Sequence, residues 1–210
     1  MVDVAVVDYG MGNLRSVEQA LRKIAPKAEI VVSDDARVIA RARRVVFPGQ
    51  GAMPDCMREL ESRGLRDAVL EAARDKPFLG ICIGLQMLFE HSTEGNVAGL
   101  CILRGEVVRF ANNLCDAQGN RLKVPHMGWN RVHHGNHALW DGIAQDDRFY
   151  FVHSYYVQPQ DPSLVQGTSD YPQPFVCAVA QDNLFAVQFH PEKSQTAGLK
   201  LLQNFVQWNP

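Results

Sequence analysis

The chain has 210 residues, of which 46% are hydrophobic and 21% charged, and its formal net charge is −2. This is ordinary for a globular protein with a sizeable core, so we expect a single domain over residues 1–210. The only basic cluster is Arg41, Arg43 and Arg44, and the near-neutral charge argues against a nucleic-acid partner. No apolar run approaches the roughly 20 residues that span a bilayer, so no membrane association is predicted.

The cysteines argue against a disulfide framework and against a zinc site. There are five, an odd number with no CxxC spacing: Cys56, Cys82, Cys101, Cys115 and Cys177. The beginning of the chain, MVDVAVVDYG, has acidic residues where a signal peptide carries basic ones. We therefore expect a cytoplasmic protein with free thiols.

The first half alternates short apolar runs, typical of buried parallel strands, with amphipathic segments at helical spacing. The predicted strands are Val2–Val7, Glu29–Ser33, Arg43–Phe47 and Pro77–Ile81. The predicted helices begin at Leu14 and end before Pro26, run from Pro54 to Arg74 with a break near Gly64, and begin again over Leu85–Phe89. This order predicts an α/β fold with a doubly wound, mostly parallel sheet.

The second half predicts added antiparallel strands. They are Cys101–Phe110, Leu122–Pro125, Trp129–His134, Tyr150–Val157, Phe175–Ala180 and Leu184–Phe189. Asp182-Asn183 is typical of a hairpin turn between the last two. A final helix is predicted over Ala197–Trp208, with Leu201, Phe205 and Trp208 on one face.

One cysteine stands between two glycines at a predicted strand-to-helix junction, in Gly80-Ile81-Cys82-Ile83-Gly84. A tight turn around a nucleophile crowds the residues two positions away, so both must be small, as in the G-x-S-x-G elbow of α/β hydrolases. Such an elbow would lift the Cys82 sulfur out of the sheet and place it at a helix N-terminus, which favours a thiolate. Alternatively, Cys82 is a small buried hydrophobe.

A cysteine nucleophile needs a base, and the base needs a group that orients it. His190 follows the strand Leu184–Phe189, and Glu192 lies two residues further across Pro191. Glu192 could therefore bond one ring nitrogen and leave the other for the thiol. A surface or satisfied core histidine is the alternative.

Acyl transfer also needs hydrogen-bond donors for an oxyanion. The segment Gly49-Gln50-Gly51 follows the third predicted strand, where glycines allow close approach of the backbone to a substrate. We expect the backbone N–H groups of Gln50 and Ile83 to be the donors, although the segment could also be a simple turn.

Two other patterns do not support a metal or a cofactor. His133, His134 and His137 lie close in sequence, but no cysteine or paired carboxylate joins them. The glycine-rich loop that begins at Gly10 has Arg15 in place of the third glycine of a dinucleotide-binding fingerprint. We expect this loop to contact a substrate or a partner.

Three segments in order, PGQG, GICIGLQ and HPEK, resemble the class I (triad) glutamine amidotransferases, and the resemblance covers nearly the whole chain. Within that class, VDYGMGNLRSV, VPHMGWN and YFVHSYY are similar to the glutaminase subunits of imidazole glycerol phosphate synthases.

The resemblance implies that the chain hydrolyses glutamine to glutamate and ammonia through a thioester on Cys82, with His190 and Glu192 completing the triad. It further implies that glutamine contacts Gly49, Gly51, Gln86, Ser154 and Tyr155. The ammonia would pass to a partner, the cyclase subunit, which has the (β/α)8 barrel fold. That partner would convert PRFAR to imidazole glycerol phosphate and AICAR in histidine biosynthesis.

The resemblance is incomplete at Gln50, which stands where the family more often has a small apolar residue. Since its expected role belongs to its backbone N–H, activity need not be lost, but the ease with which this peptide reorients could change. The resemblance also suggests Asn13 and Lys193 as partner-interface residues, or else they are simply exposed polar groups.

Three other functions compete with this one. The chain could be the glutaminase subunit of another ammonia-channelling synthase, such as one that makes pyridoxal phosphate, although PHMGWN argues against it. It could be a non-catalytic binding module of the same fold, or a cysteine peptidase of related fold. The combination of Cys82, His190 and Glu192 argues against the binding module.

Overall fold

The computed structural model describes residues 2–116 and 118–210. The strands are β1 (Val4–Val7), β2 (Ile30–Ser33), β3 (Arg44–Gly49), β4 (Phe78–Cys82), β5 (Phe89–Ser92), β6 (Val97–Ala98), β7 (Leu103–Arg109), β8 (His126–Arg131), β9 (His133–His134), β10 (Arg148–His153), β11 (Tyr155–Pro159), β12 (Val165–Asp170), β13 (Pro174–Gln181) and β14 (Leu184–Val187). The helices are α1 (Leu14–Ile24), α2 (Ala36–Arg41), α3 (Met53–Ser62), α4 (Arg66–Asp75), α5 (Ile83–Gln86) and α6 (Gln195–Gln207). Among these, no helix has both the length and the apolar character needed to cross a bilayer.

Five parallel strands form one half of the large sheet, in the order β2-β1-β3-β4-β14, with β2 at the edge. The side chains of β1, β3, β4 and β14 are almost all buried, as expected for segments that are nearly continuous apolar runs, whereas edge strand β2 is mostly half-buried. The strand order reverses between β1 and β3, and open α/β sheets bind ligands beyond the carboxyl ends of the strands near such a point. The fold-class prediction is confirmed for this part of the sheet.

Helices cover the parallel strands in two groups, since α1 packs with α6 and α2 packs with α4. The predicted break near Gly64 is confirmed, because α3 ends at Ser62 and Gly64 has φ +65°, a backbone conformation that favours glycine. Helix α2 was not predicted from the sequence. It is only six residues long, and the signal for it is Asp35, whose carboxylate accepts a hydrogen bond from the Arg37 N–H at the helix start.

Mostly antiparallel strands extend the sheet beyond β14, in the order β13-β11-β7-β5-β6, although β7 and β5 pair in parallel. Strand β12 also pairs with β13, and β9 pairs with β12. The predicted hairpin is confirmed, because Gln181 pairs with Leu184 around a two-residue loop. Two strands outside this sheet, β8 and β10, pair only with each other among the described residues.

Several predicted boundaries are wrong. The segment predicted as a helix over Leu85–Phe89 contains only the end of α5, and Phe89 already begins β5 by pairing with Leu103. A strand pairing that spans the fold overrides the local helical spacing there. Strands β5, β6 and β12 were not predicted, and the predicted strand Leu122–Pro125 is a loop in the structure.

Two predicted strands are each divided between the two sheets. The segment predicted over Tyr150–Val157 separates at Ser154 into β10 and β11, and the segment predicted over Trp129–His134 separates into β8 and β9. No glycine or proline marks either junction, so the sequence pattern alone could not show the change of sheet.

A buried pair of histidines joins the small sheet to the large one. Nδ1 of His153 lies 2.8 Å from the backbone oxygen of Tyr155, which can only accept, so this nitrogen carries the proton. Nε2 of His153 must then accept from Nδ1 of His126 at 2.9 Å, and Nε2 of His126 accepts from Asn130 at 3.3 Å. Both rings are therefore neutral. Burial lowers the pKa of His126 to about 4 and that of His153 to about 3.

This pair predicts that acid weakens the fold. Between pH 6.5 and about 4 the unfolded chain binds protons that the folded chain does not, so the free energy of unfolding falls as the pH is lowered. Each histidine contributes a slope of about 1.4 kcal/mol per pH unit in this window. His126→Phe removes one titrating group, and urea unfolding from pH 7.5 to 4.5 should show the slope reduced by about that amount. A variant that keeps the wild-type slope would contradict this, and His91→Phe on the β5–β6 hairpin is the control.

Candidate active site

The elbow at Cys82 depends on the missing side chains of its two glycine neighbours. A Cβ on Gly84 would lie 1.9 Å from the backbone oxygen of Phe47, and one on Gly80 would lie 3.0 Å from Gly84 and from Ala186. Cys82 itself has φ +57°, a strained conformation for a residue with a side chain. Strand β4 can therefore turn directly into α5 because positions 80 and 84 carry no side chain. The turn leaves Cys82 at the end of its strand and only 4% exposed.

The end of β3 lies beside the elbow, since Gly49 is the register partner of Cys82. A Cβ on Gly49 would lie 2.2 Å from the Tyr9 hydroxyl oxygen and 3.1 Å from Cβ of Ile83, so glycine is required at this close approach. The next peptide is held by the Cys56 thiol, which donates to the Gln50 carbonyl oxygen at 3.4 Å. Ile83 is the first residue of α5, where a backbone N–H has no acceptor within its helix.

His190 and Glu192 form a buried pair at the carboxyl end of β14. Nδ1 of His190 lies 2.9 Å from Oε1 of Glu192, and the two side chains are 5% and 1% exposed. Because a carboxylate can only accept, Nδ1 donates and the ring orientation is fixed. Nε2 of His190 has no hydrogen-bond partner among the described residues, and His190 lines the same cavity as Cys82.

The charges around His190 favour the imidazolium. Burial lowers the pKa of the ring, but the negative charge of a Cys82 thiolate and the Glu192 carboxylate more than offset it and raise the pKa to about 10. At neutral pH His190 is therefore held as the imidazolium, whose Nε2 carries a proton that it can donate.

Strand β10 sets the position of His190 from behind. The backbone N–H of His190 donates to the Tyr150 oxygen at 2.9 Å. The Ser194 hydroxyl donates to the His190 oxygen at 2.6 Å and accepts from the Tyr150 N–H at 2.9 Å. Four backbone groups, the N–H and the carbonyl oxygen of both His190 and Tyr150, are satisfied by this arrangement, which fixes the histidine before any ligand arrives.

A cavity of about 640 Å³ opens above the elbow. Of the residues that the sequence analysis selected, it brings together Gln50, Gly51, Cys82, Ile83, Gln86, Ser154, Tyr155, His190 and Lys193. Gly49 and Asn13 do not line it: Gly49 is buried against the Tyr9 hydroxyl, and Asn13 precedes α1. Glu192 lies behind His190. The glycine-rich loop contributes Gly10, Met11 and Gly12 to the wall.

The histidines considered as a metal cluster are separated by their contacts. His133 lies between two carboxylates, 2.5 Å from Asp146 and 3.6 Å from Asp170, whereas His134 stacks on Trp140. His137 packs against aromatic rings further along the chain. Across residues 2–116 and 118–210 no three or more His, Cys, Asp or Glu side chains are arranged so that they could hold a metal ion.

Sequence reasoning missed two groups that support the site. Gln188 is fully buried, and its Nε2 lies 3.8 Å from the Cys82 sulfur. The available signal was a polar residue between Val187 and Phe189 in an otherwise apolar strand. Tyr9 and Cys56 lie beneath Gly49 and Gln50, and nothing in their local sequence indicates this long-range packing.

Comparison with known proteins shows the family of the chain. The sequence model of the family "Glutamine amidotransferase class-I" matches residues 5–208. The chain is 65% identical to the imidazole glycerol phosphate synthase subunit HisH of Thiobacillus denitrificans, covering 100% of this chain and 92% of that protein. It is 63% identical to the HisH subunit of Dechloromonas aromatica, with 99% and 97% covered. The chain therefore belongs to the class I glutamine amidotransferase family.

Solved structures share the fold at low sequence identity. A structure described as a putative GMP synthase component from Thermoplasma acidophilum matches with a TM-score of 0.69 at 20% identity, covering 99% of this chain and 93% of that one. A structure described as a glutamine amidotransferase matches with a TM-score of 0.72 at 17% identity, covering 97% of each chain.

The elbow predicts a large cost for one added methyl group. In Gly84→Ala the new Cβ would meet the Phe47 oxygen, a backbone atom that cannot rotate away, so we expect the free energy of unfolding to fall by at least about 3 kcal/mol. The control is Gly64→Ala, which has open space and only an unfavourable φ, with an expected loss of about 1 to 2 kcal/mol. Urea unfolding measures both. Equal losses would show that the close approach at Gly84 is unimportant.

Proposed function

We propose that this chain is the glutaminase subunit of an imidazole glycerol phosphate synthase and acts in histidine biosynthesis as one amidotransferase domain. The observation that carries the proposal is the pairing of a strained elbow cysteine with the Nε2 face of a carboxylate-oriented histidine in one cavity. The high identity to curated HisH subunits supports this synthase over other ammonia-channelling enzymes.

In the first half of the reaction the Cys82 thiolate attacks the side-chain amide carbon of glutamine. The backbone N–H groups of Gln50 and Ile83 stabilise the resulting oxyanion. His190 then gives its Nε2 proton to the amide nitrogen, the carbon–nitrogen bond breaks, and ammonia leaves. The raised pKa of His190 suits this step, because the ring begins it as an imidazolium.

In the second half the now neutral His190 accepts a proton from water through Nε2, and the water oxygen attacks the thioester. The carbon–sulfur bond breaks, glutamate leaves, and the Cys82 thiolate and the imidazolium are restored. Glu192 holds the ring in one orientation throughout and stabilises its positive form, the role that the carboxylate has in other triads.

Glutamine would lie between α5 and the β10–β11 junction. Oε1 of Gln86 is buried and has no hydrogen-bond partner in the described part of the chain, so it is free to accept from a substrate N–H. Ser154 and Tyr155 line the same cavity, where the Tyr155 backbone oxygen lies 3.1 Å from Nε2 of Gln86. They would present backbone groups to the amino-acid end of the substrate, while Gly51 leaves space beside it. Gly49 acts indirectly, by allowing Gln50 to approach Cys82.

The partner would be a cyclase subunit of (β/α)8 fold that covers the cavity mouth and receives the ammonia. Lys193 lines the cavity and its Nζ lies 6.0 Å from the Tyr150 ring, which in turn contacts Trp129. Trp129 and Met127 are the exposed large hydrophobic side chains of the described residues, at 43% and 62%. Such exposed apolar groups beside a site support protein docking there. Asn13 lies in the glycine-rich loop that begins at Gly10 and is a weaker candidate for the interface.

The test of the proposal is Cys82→Ala in the assembled synthase. We expect glutamate release to fall by at least about 10³-fold, because the covalent intermediate cannot form. The fold should persist, since Cys82 is the N-terminal boundary of α5 and alanine removes a single buried atom. The measurement is glutamate release with the cyclase partner and its nucleotide substrate present.

The matched control is Cys177→Ala, which removes a fully buried thiol from β13. It should retain glutamate release within about threefold, with some loss of stability. A Cys82→Ala synthase that still releases glutamate at the wild-type rate would refute the proposed nucleophile. A synthase that uses added ammonia but not glutamine in this variant would show that only the glutaminase half is affected.

A further inference from the structure

The buried side chain of Gln188 is not used by the mechanism above, although it contacts the reacting sulfur. Gln188 follows β14, is 0% exposed, and is held by a backbone hydrogen bond of 2.8 Å from its N–H to the Cys177 oxygen. A fully buried amide costs free energy unless its polar atoms are paired. The hydrogen-bond partners of the Gln188 amide therefore indicate the role of this side chain.

The neighbouring groups fix which end of the amide faces the sulfur. The backbone oxygen of Tyr155 can only accept, so the group 3.1 Å from it must be the NH₂ of Gln86. The same NH₂ lies 3.0 Å from Oε1 of Gln188 and donates to it. Nε2 of Gln188 is thereby turned toward Cys82, with its nitrogen 3.8 Å from the sulfur. Reversing the amide would set two NH₂ groups against each other.

An N–H aimed at a sulfur stabilises the thiolate more than the thiol, because a hydrogen bond to a charged acceptor is roughly twice as strong as a neutral one. His190 supplies the positive charge beside Cys82, and Gln188 supplies a neutral donor. A neutral donor has an advantage here, since it holds the sulfur without competing with His190 for the proton.

We propose that Gln188 is a positioning residue of the glutaminase reaction, whose amide N–H holds the Cys82 sulfur as an aligned thiolate. The inference rests on the proposed role of Cys82 as the nucleophile. Because Gln86 contacts both Gln188 and the expected substrate position, the three side chains form one hydrogen-bonded chain from the Tyr155 backbone oxygen to the sulfur. The amide of Gln188 thus connects the glutamine-binding group to the nucleophile.

Two variants separate donation to the sulfur from simple packing. Gln188→Glu keeps the shape and the oxygen that accepts from Gln86, but as a carboxylate it offers no N–H and adds a negative charge. Gln188→Met keeps the approximate volume and loses both hydrogen bonds. The matched control is Gln181→Met, which makes the same substitution at an exposed position at the end of β13.

The experiment measures the rate at which iodoacetamide alkylates Cys82 between pH 5 and 9.5 in the assembled synthase, by mass spectrometry of the peptide that carries it. We expect the pH of half-maximal rate to rise by about one unit in Gln188→Met and by more in Gln188→Glu. Exposed Cys101 in the same samples is an internal reference and should keep its profile. Gln181→Met should match the wild type for both cysteines.

Glutamine turnover provides the second measurement. In Gln188→Glu we expect kcat to fall at least about tenfold with KM changed less than about twofold, because the contact to Gln86 persists. Wild-type Cys82 profiles in both Gln188 variants would overturn the inference. The inference would also be overturned if the Gln188 variants lost activity and unfolded at a lower temperature while the pH profile of Cys82 alkylation stayed unchanged. These outcomes differ from a failure of the proposed function, which is marked by glutamate release that survives Cys82→Ala.

Discussion

The structure depends on one close approach, between the backbone of α5 and the backbone oxygen at the end of β3. Only a glycine at position 84 allows it, since a Cβ there would lie 1.9 Å from the Phe47 oxygen. The approach draws the helix start against the sheet, which bends β4 sharply and leaves Cys82 at φ +57°. Strain of this kind persists only where surrounding structure imposes it, and it is characteristic of functional sites. Burial of the apolar side chains of β3 and β14, which flank β4, offsets the free-energy cost of this backbone strain.

The second constraint is the direction of the parallel strands. Strands β1, β3, β4 and β14 all end at one edge, so the loops after them converge although their sequences lie far apart. The glycine-rich loop, the Gln50 peptide, the elbow and His190 reach one cavity for this reason. Strand β10 of the small sheet adds Val152 and His153 to the wall of the same cavity. The neutral pair of His126 and His153 fixes the small sheet to the larger one.

More of the site than of the surrounding architecture could be predicted from the sequence. The elbow has a steric rule at fixed spacing, and the histidine with its carboxylate lies within three residues, so both signals are local. The parallel strands could also be predicted, because burial on both faces leaves uninterrupted apolar runs. Gln188 was missed because its partners, Gln86 and Cys82, are about a hundred residues away.

The prediction failed where pairing across the fold decides the structure. Phe89 continues a helical pattern but pairs with Leu103, and Ser154 marks a change from one sheet to the other that no glycine or proline signals in the sequence. The predicted strand over Leu122–Pro125 became a loop because no neighbouring strand pairs with it among the described residues. Local patterns indicate which residues are buried, whereas long-range partners determine which sheet they join.

The central claim is that the elbow makes one thiol of five reactive toward glutamine. The most direct measurement is covalent labelling by a glutamine analogue that carries an electrophile at its side-chain carbonyl carbon, mapped by peptide mass spectrometry. The account predicts one label per chain, on Cys82, with protection by excess glutamine, although Cys101 and Cys115 are far more exposed. Labelling that follows exposure, on Cys101 and Cys115 without protection by glutamine, would contradict it.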